Sequence, residues 1–372
     1  MAEEKKILRL NTRAFDEAWH LQYAYTHLKD NWSPAPWKKA LMYFVIDWLT
    51  DAETMILQTS GSTGTPKKIK VDKKYMKASA RMTLDFFALA PGDKVLLCLP
   101  IRYVAAKMMV VRAFTGQLDL YCIEPKLYPY SEWTPDLHFA AMTPAQVEKL
   151  LETTEGTAFL NRIEKLLLGG SALSVPLEEK LQSLKTKVWH SYGMTETLTH
   201  VALRKVNGPD KTTGFHALPG VTLGKTPGGC LQISAPHIGV YGLETHDAVD
   251  FLPDGSFTVQ GRTDNVINSG GVKLFPEQIE RKLSPFIRMP FFVGKQPDIH
   301  MGERPVLFIE SEPWPEEETL ILRKQMRAHL GKFEIPEAIV FVKNFERTPS
   351  GKVIRTTRVP GGGESSVQQE DA

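Results

Sequence analysis

From Lys94 onward, short apolar runs alternate with segments whose apolar residues recur at helical spacing: KVLLCLP, VAAKMMVVRAF, LDLYCIE, LHFAAMT and PAQVEKLLET. Strands separated by helices in this way predict βαβ units and a largely parallel sheet, because parallel neighbours need a crossover between them. Thr143-Pro144 marks one helix start. Threonine serves as N-cap there, and proline takes the first helical position, where a missing N–H costs nothing. The alternation repeats through IEKLLLGG, SVPLEEKLQSLK and KVWHSYG.

Beyond Gly208 the helical periodicity lapses, and Gly, Pro and Thr punctuate short runs such as CLQISAP and SFTVQGR. A smaller strand-rich lobe closing near Arg262 is expected. PEQIERKL and EEETLILRKQMRAHL then read as amphipathic helices around the strands FFVG and VLFIES, with AIVFV after them. This is an α+β unit large enough to fold alone. The expected fold is therefore α/β: a large N-terminal domain with a mostly parallel sheet and a small strand-rich lobe, plus a small α+β C-terminal domain. The boundaries are placed at 1–263 and 264–359. Residues 360–372, PGGGESSVQQEDA, have almost nothing apolar to bury and are expected to form a disordered tail.

A length of 372 residues fits two domains, and 42% hydrophobic with 24% charged residues excludes wholesale disorder. Lys and Arg number 45 against 43 Asp and Glu, with no basic block of the kind that follows a nucleic-acid backbone or an anionic membrane. No nucleic-acid partner is expected. Cys98, Cys122 and Cys230 lie far apart without a CxxC spacing, which points to buried apolar thiols and away from a disulfide scaffold or structural zinc. The N-terminus lacks the apolar core of a secretory signal, and Arg102, Lys107 and Arg112 interrupt the most apolar stretch, Val95 to Phe114. A cytoplasmic protein without membrane insertion is expected.

Candidate chemistry begins with Thr59-Ser60-Gly61-Ser62-Thr63-Gly64-Thr65-Pro66-Lys67. Such a loop can turn hydroxyls and backbone N–H groups toward one anion, with Lys67 as a point charge. Taken alone, a mobile Ser/Gly/Thr turn explains it equally well. It is not a Walker A loop, which would end in Gly-Lys-Ser/Thr. Tyr192-Gly193-Met194-Thr195-Glu196-Thr197 follows the predicted strand KVWHS, so its polar side chains fall at the carboxyl edge of a parallel sheet, where open α/β folds bind ligands. A carboxylate beside a hydroxyl suits Mg²⁺, although a helix cap would use the same residues.

Two further segments follow, GRTDNVINSGG from Gly261 to Gly271 and Thr348-Pro349-Ser350-Gly351-Lys352. In this order, and with LLLGGSAL at Leu166 to Leu173, the four segments resemble the ATP-dependent, AMP-forming adenylating superfamily of acyl-CoA synthetases, luciferases and carrier-loading adenylation domains. The resemblance runs from about Gln58 to Arg355. Within the superfamily, LLCLPIRYVAAKMMVVRAF, YGMTETLTHVALRKVNGP and DNVINSGGVKL are most similar to the o-succinylbenzoate–CoA ligases of menaquinone synthesis, in their short form. The chain departs from the family in three places. The phosphate loop begins at Thr59, so a substantial N-terminal subdomain is expected to be missing. Tyr103 stands where many relatives have His, and Thr245-His246-Asp247 stands where they read TGD.

The resemblance implies roles for individual residues. Thr59, Ser60, Gly61, Ser62, Thr63, Gly64 and Lys67 would hold the leaving pyrophosphate, and Thr195 with Glu196 would contact phosphate and Mg²⁺, Glu196 as the metal ligand. Gly169, Gly170, Ser171, Tyr192 and Gly193 would shape the adenine slot. Asp247 would accept from the ribose hydroxyls, with Arg262 on ribose or phosphate. Asp264 matches the hinge between domains, Gly270 and Gly271 would line a pantetheine tunnel, and Lys352 would be the catalytic lysine. For the acid, Arg102, Tyr103, Lys107 and Thr199 are candidates; helix-surface charges and a capping hydroxyl account for these residues equally well.

The implied reaction uses ATP, Mg²⁺ and coenzyme A. A carboxylate attacks the α-phosphate to give acyl-AMP and pyrophosphate, and a CoA thiol then expels AMP, the small domain rotating between the steps. Two alternatives stay open: an adenylating enzyme for another acid or for a carrier protein, and a non-catalytic AMP-binding protein.

Overall fold

The computed structural model describes residues 8–10, 13–15, 35–58, 67–132, 134–347 and 353–355. Two short strands, β1 (Leu8–Leu10) and β2 (Arg13–Phe15), precede helix α1 (Pro36–Leu49), which starts on a proline and buries Phe44, Val45, Trp48 and Leu49. A hairpin follows, β3 (Thr54–Gln58) and β4 (Lys68–Asp72), and leads into α2 (Lys73–Phe86).

The alternation read from Lys94 onward is present. Its elements are β5 (Lys94–Leu97), α3 (Val104–Gly116), β6 (Asp119–Cys122), β7 (Leu137–Met142), α4 (Pro144–Leu150), α5 (Thr154–Leu160), β8 (Ile163–Leu168), α6 (Val175–Leu181) and β9 (Lys187–Gly193). Thr143 caps α4 through a reciprocal pair of bonds with Gln146. PAQVEKLLET, read as a single helical segment, instead stops at Leu150. The Thr153 hydroxyl accepts from Gly156 N–H at 3.0 Å and begins α5 there.

With β10 (His200–Lys205) and β11 (His216–Ala217), these strands form one sheet in the order β11-β10-β9-β8-β7-β5-β6-β1-β2. Pairing is parallel from β9 to β1 and antiparallel at the two edges. Both faces are covered, which explains the near-continuous apolar runs. Along β5, Val95 and Leu97 pack with Met76, Ala80 and Met108 of α2 and α3, whereas Leu96 and Cys98 pack with Val147, Phe159 and Leu177 of α4 to α6. Burial pushes the Cys98 thiol up to about 12, as suits an inert core cysteine.

The lobe is a four-stranded antiparallel sheet, β12 (Thr222–Lys225), β13 (Cys230–Ala235), β14 (Val240–Phe251) and β15 (Phe257–Arg262). After it come β16 (Ile267–Ser269), β17 (Val272–Leu274), α7 (Pro276–Leu283), β18 (Phe291–Asp298), β19 (Gly302–Glu310), α8 (Glu316–His329) and β20 (Ala338–Val342). Their sheet runs β17-β16-β19-β18, with β20 parallel to β19. It has its own core, in which Ile279 and Leu283 of α7 and Leu322 and Met326 of α8 meet Val293 and Leu307. Among the described residues no helix is long and apolar enough to cross a membrane.

Candidate active site

Because β5, β7, β8 and β9 run parallel, the segments that follow them emerge at one sheet edge. The chain leaves β5 to form β6 on one side and β7 on the other, so the edge includes the reversal point at which open α/β sheets bind ligands. Gly169-Gly170-Ser171 follows β8, with Gly170 at φ 92°. Met194 to Thr199 follows β9 and turns back into β10. A β-carbon on Gly193 would lie 1.9 Å from the Thr199 carbonyl oxygen, so the turn closes only on glycine. Thr197, fully buried, accepts from Met194 N–H at 3.0 Å and donates to Thr199 O at 2.7 Å. This staple leaves Glu196 exposed beside the nearly buried Thr195, as a carboxylate–hydroxyl pair at the sheet edge.

A polar chain joins β9, the lobe and the connection to the last unit. The Tyr192 hydroxyl donates to Asp247 Oδ2 at 2.5 Å, and burial together with that carboxylate raises the Tyr192 pKa. Asp247 and Arg262 face one another across β14 and β15, with Nη1 3.5 Å from Oδ1. Arg262 Nη2 reaches Asp264 Oδ2 at 2.6 Å, and His246 Nδ1 lies 2.8 Å from the other Asp264 oxygen. Burial opposes ionisation of Asp264, but Arg262 and His246 outweigh it and hold the carboxyl below its usual range. Asp264 sits in the 3₁₀ turn Thr263–Asn265 between β15 and β16, where Asn265 donates to Glu277 at 2.5 Å. Gly270 and Gly271 form the turn between β16 and β17, at φ 56° and 81°.

The candidate acid-binding residues separate. Arg102 lies over the Tyr103 ring at 4.7 Å. Lys107 turns toward the hairpin, 3.4 Å from the Ile56 carbonyl, and burial lowers its pKa although Asp47 opposes the shift. Thr199 meets Arg112, which on the chain is only an interruption of an apolar stretch. Arg112 is 2% exposed, and burial pushes its guanidinium down to about 9, still charged at neutral pH. Its Nε donates to Thr83 Oγ1 at 3.0 Å and its Nη2 to Thr199 Oγ1 at 3.2 Å. His200 Nε2 lies 3.2 Å from the same Thr83 hydroxyl; burial, then the Arg112 charge, lower its pKa well below the ordinary value. Among the described residues no carboxylate reaches Arg112. One signal was legible: Met108 to Ala113 is otherwise wholly apolar, and every residue of it is buried.

Lys67 is exposed just before β4, and the Gln58–Lys68 pairing of the hairpin brackets the segment 59–67. Thr59, Ser60, Gly61, Ser62, Thr63 and Gly64 lie outside the described residues, as do Lys352 and residues 360–372.

The chain is similar in sequence and fold to known proteins. The 2-succinylbenzoate–CoA ligase of Lactococcus lactis is 24% identical over 331 residues, 83% of this chain and 71% of that protein. An acyl-CoA synthetase (AMP-forming)/AMP-acid ligase II-like protein from Dyadobacter fermentans is 36% identical, with a TM-score of 0.59 over 86% of this chain and 93% of that one. The o-succinylbenzoate CoA synthetase (MenE) of Bacillus subtilis, in complex with the acyl-adenylate OSB-AMP, shares the fold with a TM-score of 0.68 at 20% identity, over 82% of this chain and 68% of that one. The profile of the AMP-binding enzymes matches residues 31–223, just over half of the chain and the part that builds the large sheet edge, and the chain belongs to that family.

Proposed function

We propose that this protein is an AMP-forming acid–CoA ligase and that its acid is o-succinylbenzoate. The carrying observation is Arg112. A charged guanidinium buried without an anionic partner costs several kcal/mol. It lies one hydroxyl away from the turn that ends β9. A substrate with one carboxylate to activate and a second to be neutralised supplies the missing anion; a simple fatty acid does not. The activity named for the Lactococcus relative and the acyl-adenylate bound to the Bacillus neighbour support the same reading.

In this reading the succinyl carboxylate oxygen attacks the α-phosphorus of ATP, the bond from that phosphorus to the β-phosphate oxygen breaks, and pyrophosphate leaves. CoA thiolate then attacks the acyl carbon, and the carbon–oxygen bond to AMP breaks. The protein's own groups position and neutralise. Lys67 and the loop Thr59 to Gly64 hold the pyrophosphate. Asp247, aligned by the Tyr192 hydroxyl, accepts from the ribose, and Arg262 stands beside it. Glu196 beside Thr195 is the hard-oxygen set that Mg²⁺ prefers, and magnesium bound there would neutralise phosphate charge. Lys352 is the cation of the first step, and the unit 264–359 turns at Asp264 to bring Gly270 and Gly271 to the thiol. The setting is the cytoplasm, which holds ATP and CoA.

The test is pyrophosphate and nucleotide release with CoA across a panel of acids. AMP is the expected product, and o-succinylbenzoate should exceed benzoate, succinate and medium-chain fatty acids in kcat/KM by orders of magnitude. Stoichiometric ADP would overturn the chemistry. Equal rates with a simple acid would overturn the substrate.

A further inference from the structure

Strand β9 carries a histidine to which none of these roles falls. His190 is 7% exposed, with Nε2 3.0 Å from the Ser171 carbonyl oxygen and Nδ1 3.4 Å from Arg204 Nε. A carbonyl only accepts and a guanidinium only donates, so the neutral ring must carry its proton on Nε2 and leave Nδ1 bare. Burial, followed by the Arg204 charge, lowers the His190 pKa to about 4, so this form persists at neutral pH.

Arg204 is itself held on two sides. It pairs with Glu178, and its guanidinium lies over the Phe215 ring at 5.7 Å. The His190 ring packs against the same Phe215 at 5.1 Å. Glu178 belongs to α6, the helix that follows the loop Gly169–Ser171. The Gly169 N–H ties the start of the loop to the Met142 carbonyl at 3.1 Å, and the two residues after it are looser. Gly170 has nothing within 4 Å of where a β-carbon would be, and Ser171 is exposed. Among the described residues, His190 is the only partner of the Ser171 carbonyl.

We infer that His190 is a positioning residue: it fixes the Ser171 carbonyl, and through it the loop Gly169–Ser171, in the shape that receives the adenine base. The inference rests on the reading of that loop as base-binding. His190 touches no nucleotide in this account; it acts through backbone.

The test compares His190→Met, which keeps volume and loses the donor, with His190→Gln, whose amide can donate to the same carbonyl. In the full chain, His190→Met should raise KM for ATP and weaken ATP binding by calorimetry roughly tenfold, the scale of one lost hydrogen bond. KM for the acid and for CoA should hold, and the preference for ATP over GTP should narrow. His190→Gln should recover most of the ATP affinity. Unchanged ATP binding in His190→Met would overturn the inference, as would a parallel rise in all three KM values, which signals general damage. Wild-type protein that binds no ATP would instead overturn the reading of the loop itself.

Discussion

Replacing Arg112 by methionine removes the buried charge while keeping a side chain of similar length. Burial that moves the guanidinium from 12.5 to about 9 corresponds to about 5 kcal/mol of desolvation, at ~1.4 kcal/mol per tenfold change in proton affinity. The two bonds to Thr83 and Thr199, at ~1.5 kcal/mol each for a charged donor, return about 3 kcal/mol of this. About 2 kcal/mol is then left for a substrate carboxylate to recover, at the lower end of the ~2–5 kcal/mol measured for buried charge pairs, and equal to about 30-fold in kcat/KM. The assay is initial-rate pyrophosphate release with o-succinylbenzoate and with 4-oxo-4-phenylbutanoate, which keeps the reacting arm and lacks the ring carboxylate. Arg112→Met should lose about 30-fold on the first and little on the second, so the preference between them collapses. The free variant should also melt at a higher temperature than wild type, because an unpaired buried charge has gone. A variant that keeps its preference for the dicarboxylate would refute the assignment of Arg112.

Three further outcomes are expected. Lys352→Ala should depress adenylation ~10²- to 10³-fold, the scale for one lost donor at a developing charge, while thioester formation from supplied acyl-AMP survives; an equal fall in both half-reactions would remove the two-position scheme. Gly193→Ala should unfold the turn after β9 or lower stability by more than ~3 kcal/mol, since its methyl would sit 1.9 Å from the Thr199 carbonyl; a normal melting temperature would contradict the close approach. His190, with a folded-state pKa of about 4 against an ordinary 6.5, makes the unfolded chain bind the extra proton first as pH falls. Its share of stability, present above pH 6.5, should therefore be lost toward pH 4, about 3 kcal/mol in all, and urea titrations of His190→Gln at pH 7.5 and 4.5 should show that much less loss than wild type.

Much of the fold was legible before any coordinates, because local physics determines it. Strands buried on both faces read as apolar runs, as Val95–Leu97 and Leu166–Leu168 do, and Thr143-Pro144 marks a helix start through its own cap. Two of the site segments were legible for the same reason: Gly169–Ser171 and Met194–Thr199 lie behind the apolar runs of β8 and β9 and fall at their carboxyl edge. Sequence reading also noticed His246 as a departure, but not that it would touch Asp264, because the two are joined only by the pairing of β14 with β15. Arg112 is the sharper case. On the chain it is one of three cations breaking an apolar stretch; its apolar flanks set it apart from Arg102, which is exposed, but do not say what it meets. Only the packing of α3 against α2 and the start of β10 buries one guanidinium and leaves the other in water, since burial is decided by what the rest of the chain lays over a residue. His190 belongs with it: its partners Ser171 and Arg204 lie on neighbouring strands or just beyond them, and sheet order brought them together.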